Sequence, residues 1–598
     1  MDAVEKKEAI KGGEFLIRES EAGEIFIPEE FSEEQKMMAQ ATQDFIDHEV
    51  TPVIERLEKG EYELGEHLLK KAGELGLLGI SIPEAYGGLG MNFNTSLLIA
   101  DILGSAGSFS TTYGAHTGIG TLPILYYGTE EQKQKYLPKL ASGEWVGCYC
   151  LTEPDAGSDA NSGKSRAVLS EDGKHYILNG QKMWISNAGY ADCLIVFAKI
   201  DDDARLSAFI LERTWDGITM NDEEIKLGIK GSSTRQVFFN DVKVPVENLL
   251  SARENGFKIA VNILNIGRIK LGAGGIGGMK EVIDLSTQYA IDRKQFGISI
   301  SKFGAIKHKL ATMAIKTFAT ESLNYRAGQN IDDKIAALIA DGMEENEAKL
   351  KGIAQFAIEC SISKVHGSEV LSYCVDEGVQ VYGGMGFSED APMARAFRDA
   401  RITRIYEGTN EINRMLMIDM LLKRAMKGEL DLMGPAMAVQ KELTSIPDFS
   451  NQEDNELFAA EKKVLNNLKK AGLMVAGAAA QKLMEKLSHE QEILMNLADI
   501  LIEIYAAEST ILRAEKLIQL KGEEASQRQV DMAKIYLHDA VSIVQNAGKE
   551  AIYAFAEGDE MRVMLMGLKR FTKIDPMNLK EARRRVADHL IENKGYAF

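Results

Sequence analysis

From Phe31 onward, apolar residues recur every three or four positions, through "FSEEQKMMAQATQDFIDHEV" (31–50) and, after a break at "PEAYGGLG" (83–90), to about Leu140. That period predicts amphipathic helices, with Phe31 and Ser32 offering a staple and a cap ahead of Met37, Met38 and Phe45. At Trp145 the texture changes. "EWVGCYCLTEP" (144–154), "KHYILNGQKMWIS" (174–186), "DCLIVFAKI" (192–200), "LSAFILE" (206–212) and "RQVFFNDVKVP" (235–245) are short β-branched and aromatic runs between Gly, Asn and Asp turns. They predict an antiparallel β-domain ending near Pro245. Helical spacing returns with "FKIAVNILNIGRI" (257–269), runs on to Ala327, and continues in further helices to about Met426. Beyond "LMGPAMA" (432–438) a last helical block spans 450–598, with Ile493, Leu497, Ile500 or Leu501, and Ile504 on one face. The pattern predicts a mainly α chain with a central β-domain. Its expected divisions are a docking tail 1–28, a helical domain 29–144, a β-domain 145–255, a helical bundle 256–428 and an appended helical domain 429–598.

Bulk properties narrow the function. A chain of 598 residues exceeds one ordinary core, and 45% apolar with 26% charged residues is a globular composition. A net charge of −20 argues against wrapping nucleic acid or lying broadly on an anionic membrane. Five cysteines make no disulfide framework, and Cys148 with Cys150 lacks the second pair of a zinc site, so no metal is expected. "MDAVEKKEAIKGGEF" has no apolar signal core, and no run nears the roughly 18 apolar residues of a membrane span. The expected location is the cytoplasm.

"GAGGIG" (272–277) matches a dinucleotide-binding pattern, but it lies in a helical stretch without the strand that such a site needs. Small residues there suit close packing against a helix or a flat ligand. Three other segments carry chemistry. "CYCLTEPDAGSD" (148–159) runs from a strand into a loop whose N–H groups and hydroxyls suit a phosphate or a heterocycle edge. "NGQKMWIS" (179–186) sets Trp184 and Ser186 on a neighbouring strand, where a tryptophan is otherwise an ordinary core residue. "QVYGGMGF" (380–387) and "RDARITRIYEGTNEI" (398–412) place glycines and then Glu407 just before a helix whose cap is Thr409. Glu407 stands two residues ahead of the cap, outside the usual capping slots and beside Gly408. It either serves the helix dipole or takes a proton.

In order and spacing these segments resemble the acyl-CoA dehydrogenase family, over about 32–420. "CLTEPDAGSD" resembles its flavin-loop signature, "RKQFG" (293–297) its second flavin signature, and "YEGTNEI" its catalytic segment. The resemblance implies an N-terminal helical domain, a β-barrel or sandwich, a four-helix bundle, FAD, and α,β-dehydrogenation of an acyl-CoA thioester. Glu407 would be the base, and the oxyanion hole would combine its own N–H with a ribityl hydroxyl of FAD. FAD would be lined by Tyr149, Leu151, Thr152, Gly157, Ser158, Trp184, Ile185 and Ser186. Arg293, Phe296, Phe303, Gln380, Gly383 and Gly384 would reach it across a subunit boundary, implying a homodimer or tetramer. Thr409 and Glu411 would touch the cofactor. Ser158, Asn265, Arg268 and Gly408 would meet the substrate, with Arg268 equally readable as a structural ion pair.

Departures sharpen the resemblance. Some branches place the base one residue before the arginine of "NIGR"; here that position is Gly267. Gly304 replaces a glutamine common in short-chain members. "LNIGRIKLG", "SKFGAIKHKLA" and the appended block resemble the very-long-chain branch. Small residues in "YGAHTGIG" (113–120) would permit either a deep acyl channel or close helix packing. The expected electron acceptor is an electron-transfer flavoprotein in fatty-acid β-oxidation. An acyl-CoA oxidase and a non-catalytic assembly relative are the rival readings. "EARRRVADHL" is the one basic run in the appended block that would suit membrane contact, or else a solvated helix face.

Overall fold

The structure, a computed structural model, describes residues 10–443 and 457–598. The first nine residues of the expected tail and 450–456 of the last block lie outside them. Helices fill the first third, beginning with Glu33–Phe45, where Ser32 caps the helix and exchanges bonds with Gln35. Phe45 is buried while Met37 faces outward.

The central sheet comprises β1 (Gly147–Cys150), β2 (Arg166–Leu169), β3 (His175–Ser186), β4 (Cys193–Ile200), β5 (Ser207–Glu212), β6 (Ile218–Met220), β7 (Thr234–Pro245) and β8 (Leu249–Leu250). Its order is β6-β7-β3-β2-β4-β5-β8, with β1 on β4. The expected all-antiparallel domain needs correction, because β1 and β2 both run parallel to β4. Each is only four residues long; β2 turns back on β3 in a local antiparallel hairpin, and it is its other edge, like β1, that meets β4 in parallel across a distant contact. β4 is buried along nearly its whole length because helices cover it, which explains its continuous apolar run.

Four helices then pack together: Gly256–Asp292, Gly304–Ala340, Ala357–Tyr382 and Asn410–Met426. "GAGGIG" lies inside the first and serves close packing. A Cβ on Gly277 would stand 1.9 Å from the Asp101 carbonyl oxygen, and one on Gly272 2.8 Å from that of Ser363. "LMGPAMA", read as a break, instead starts the helix Met433–Leu443, since proline is tolerated in a first turn.

The appended helices include Ala459–Leu483, Gln491–Lys521, Glu523–Phe555, Gly558–Phe571 and Leu579–Asn593. Ile493, Leu497, Ile500, Leu501 and Ile504 are all buried. Arg513 bonds Glu29 at 2.8 Å and Glu321 at 2.6 Å, while Arg326 bonds Glu508 at 2.8 Å. Residues 10–28 dock into the same seam: Gly13 N–H donates to Glu359, and Phe15 packs on Tyr505 with centroids 4.7 Å apart. The basic run near the C-terminus is not a free cationic face. Arg583 pairs with Asp539, and Arg585 with Asp531. Among the described residues no helix is long and apolar enough to cross a membrane.

Candidate active site

Glu407 sits where the chain leaves the helix Pro392–Arg401 and, after one tight turn, enters Asn410–Met426. Thr409 caps that helix, its hydroxyl accepting from the Ile412 N–H at 3.2 Å. Glu407 adopts φ 59° and Gly408 φ 81°, so a non-glycine residue is held in the left-handed region. The surrounding side chains hold that bend. Asn413 Nδ2 donates to the Gly408 and Thr409 carbonyls at 2.9 and 3.0 Å. The buried Lys364 donates to Gly408 O and Asn410 Oδ1, both at 2.7 Å. Arg268 Nε donates to Glu407 O at 3.3 Å.

The loop turns the carboxylate into a cavity of about 260 Å³. Oε2 is buried with no hydrogen-bond partner, although the rest of the side chain opens onto the cavity. Burial raises the Glu407 pKa to about 7, with the charges of Arg268 and Lys364 pulling the other way. A Cβ on Gly267 would come within 2.6 Å of Oε2, so this glycine makes room for the acid. Gly104, Gly107, Gly114, Gly118, Gly274 and Gly278 also line the cavity. At Gly114 and Gly118 a Cβ would meet nothing within 4 Å, so there the glycines leave space that the protein does not fill.

The residues expected from the sequence fall into two sets. Tyr149 and Leu151, on and after β1, are buried, and the loop beyond them carries Thr152, Gly157 and Ser158; none of these lines the cavity, although Tyr149 is close enough for the Glu407 charge to act on its hydroxyl. This loop is shaped from beneath by Lys182, which donates to Leu151 O at 3.1 Å and Glu153 Oε1 at 2.7 Å. Ser186, at the end of β3, lines the same cavity as Glu407. A bulge between Lys182 and Ile185 throws Trp184 outward at φ 61°, leaving it 53% exposed. Ile185 is 2% exposed and faces the core. The Tyr149 hydroxyl is buried without a partner.

The second set, Arg293, Phe296, Gln380, Gly383 and Gly384, lies on open surface, with Phe296 94% exposed. Phe303 packs edge-on against Phe296, centroids 6.0 Å apart. Within one chain none of these lines the Glu407 cavity. Glu411 is exposed on the first turn after Thr409.

Asn265 and Arg268, expected on the CoA side, are buried and turned inward. Arg268 is 5% exposed and donates to Asn265 Oδ1 at 2.8 Å as well as to the Glu407 carbonyl. They stand behind Glu407 rather than on a free surface. Gly408 packs against the Asn413 amide. Sequence reasoning missed Lys364 and Asn413; the signal for Lys364 was a lone cation within the apolar helix "AIECSISKVHGS" (357–368).

The residues fit a flavin nucleotide. Gly157, Gly383 and Gly384 face open space, where a Cβ would meet nothing within 4 Å, so the chain's own packing does not require them. The orphaned Tyr149 hydroxyl and the outward Trp184 add a donor and an aromatic face. Among the described residues no acid, histidine and cysteine cluster suits a metal.

Comparison with known proteins agrees. Family profiles match as "Acyl-CoA dehydrogenase, N-terminal domain" over 32–144, "middle domain" over 148–242, and "C-terminal domain" over 254–422 and again over 467–570. A "Probable acyl-CoA dehydrogenase" of Bacillus subtilis (strain 168) is 46% identical over 98% of both chains. The mitochondrial "Very long-chain specific acyl-CoA dehydrogenase" of Rattus norvegicus is 39% identical over 75% of this chain and 70% of its own. A crystal structure of an acyl-CoA dehydrogenase complexed with FAD from Bacillus anthracis superposes with a TM-score of 0.95 at 47% identity, covering 99% of this chain and 100% of that one. The arrangement around Glu407, the sheet between two helical layers and the profiles along the chain together make this protein a member of the acyl-CoA dehydrogenase family, whose cofactor is FAD.

Proposed function

We propose that Glu407 is the catalytic base, removing the α-proton of a long-chain acyl-CoA while the β-hydrogen leaves with its electron pair, giving the trans-2-enoyl thioester. The observation that carries this reading is the orphaned Oε2 in an enclosed cavity, with a pKa raised to about 7. An exposed glutamate titrates near 4.3 and is too weak a base for a carbon acid, whereas desolvation strengthens it. The Glu407 N–H donates to no protein acceptor among the described residues, leaving it free for the developing enolate oxygen. Bound FAD supplies the two-electron acceptor for the β-hydrogen. Thr152, Gly157, Ser158, Trp184 and Ser186 would hold it on one side.

The exposed Arg293, Phe296, Gln380, Gly383 and Gly384 support a homodimer in which this surface completes the partner's flavin site. Exposed Met385 and Phe387 extend the same apolar patch. Reduced flavin would be reoxidised by an electron-transfer flavoprotein.

Long chains suit the cavity. Its wall on the helix Gly256–Asp292 extends from Gly267, beside the base, to Leu285. That stretch spans about 27 Å at about 1.5 Å per residue. An extended alkyl chain built from bonds of about 1.5 Å advances a little less than that per carbon, so roughly twenty carbons fit. The test is anaerobic flavin reduction by saturated acyl-CoAs of rising length. Bleaching by long chains, with weaker reduction by butyryl-CoA, is expected; no bleaching by any acyl-CoA would overturn the reading.

A further inference from the structure

Among the described residues, the acyl cavity contains a cation that nothing pairs. Lys270 lies one helical turn beyond Gly267 and lines the cavity that holds Glu407. Among the described residues it makes no hydrogen bond or ion pair, and burial alone acts on it, lowering its pKa to about 8. It therefore remains largely an ammonium at neutral pH. Another lysine of the same helix shows the ordinary alternative: Lys280 pairs with Asp101 at 3.1 Å and Glu321 at 2.6 Å. Further along the cavity, Glu281 and Arg395 also line the wall, among the described residues without a hydrogen bond or ion pair, close enough for the arginine's charge to act on the acid.

Lys270 is half-buried, and covering a charge so that it loses its water without gaining a partner is costly. A plain alkyl chain filling this cavity would displace water and offer Lys270 nothing in return. An ammonium has three donors and no acceptor, so what it can bind is an acceptor oxygen.

We propose that Lys270 binds an oxygen function, a hydroxyl or a carboxylate, on the acyl chain, so that the enzyme favours oxygenated fatty acyl-CoAs over plain ones. This rests on the dehydrogenase reading above and names its substrate class. Lys270 is displaced about 4.5 Å along the helix from Gly267, so the favoured oxygen lies several carbons beyond the reacting pair. Unpaired Arg395 and Glu281 keep the deeper cavity polar as well.

The test uses FAD-loaded enzyme. kcat/KM is measured for palmitoyl-CoA beside a mid-chain hydroxypalmitoyl-CoA, and for decanoyl-CoA beside its ω-carboxy derivative. The wild-type enzyme should prefer at least one oxygenated member by about tenfold, the scale of a hydrogen bond to a charged group. Which pair shows the preference identifies hydroxyl or carboxylate as the source. Lys270→Met should bring the ratio near one, and Lys270→Arg should retain it. Ratios within one variant cancel losses of folded or flavin-loaded protein. A wild-type ratio at or below one for both pairs, or a preference surviving in Lys270→Met, overturns the proposal. Flavin reduction by plain chains with no such preference leaves the dehydrogenase reading standing. No reduction by any acyl-CoA brings down both.

Discussion

Glu407 combines three costs that a merely structural acid would avoid: a left-handed backbone, a buried oxygen without a donor, and a raised pKa. As a base it must be ionised, so kcat/KM should fall as pH drops through about 7 and level off above it; a pH profile of steady-state turnover checks this. The same shift has a stability consequence. Because the folded-state pKa lies above the unfolded one, the native state holds the extra proton, and stability declines as pH rises through that window. Above about pH 7 the buried charge costs on the order of a few kcal/mol. Glu407→Gln should therefore raise the thermal midpoint at pH 8 and change it little at pH 4, as calorimetry would show. Gly267→Ala tests the cleft from its other wall. Its Cβ would crowd Oε2 at 2.6 Å, and flavin reduction should slow by one to two orders of magnitude.

At the scale of elements, the helix Asn410–Met426, capped by Thr409, fixes the turn that carries Glu407, and the Gly256–Asp292 helix shapes its cavity. Thr409→Ala removes the cap and should cost about 1 kcal/mol in denaturant unfolding. Gly118, buried and facing a void in the cavity wall, is where the long-chain proposal can be tested. Gly118→Leu should reduce kcat/KM for palmitoyl-CoA far more than for butyryl-CoA, read in a steady-state assay. Periodicity disclosed most of these elements, because a helix or a half-buried strand writes its exposed face locally. The turn around Glu407 was legible from "YEGTNEI", since cap and glycine are local signals. The parallel direction of β1 and β2 was not, because distant partners decide it. Nor was Lys364, whose role depends on a carbonyl brought from another segment, nor Asn413, whose amide turns back on the Gly408 and Thr409 carbonyls of its own helix start. Arg268 was visible in "NIGR", but its inward turn required the tertiary arrangement.

Across the whole molecule, buried ion pairs join the appended helices to the catalytic bundle and the N-terminal segment. Arg513 ties Glu29 and Glu321 together, all three largely enclosed. Arg513→Met would leave Glu29 without its partner and Glu321 with Lys280 alone, and should cost about 3–5 kcal/mol in urea unfolding, a loss that breaking a surface pair would not produce. The open surface carrying Phe296 and Gly383 contrasts with this sealed seam, which is why the flavin site is read as completed by a second copy. All of this arrangement serves one carboxylate, so one comparison tests the account most directly: anaerobic single-turnover flavin reduction by palmitoyl-CoA in the wild-type enzyme and in Glu407→Gln. The account expects the glutamine variant to bind FAD normally and bleach about 10³-fold more slowly, within the range of general-base catalysis. Bleaching at close to the wild-type rate would contradict it.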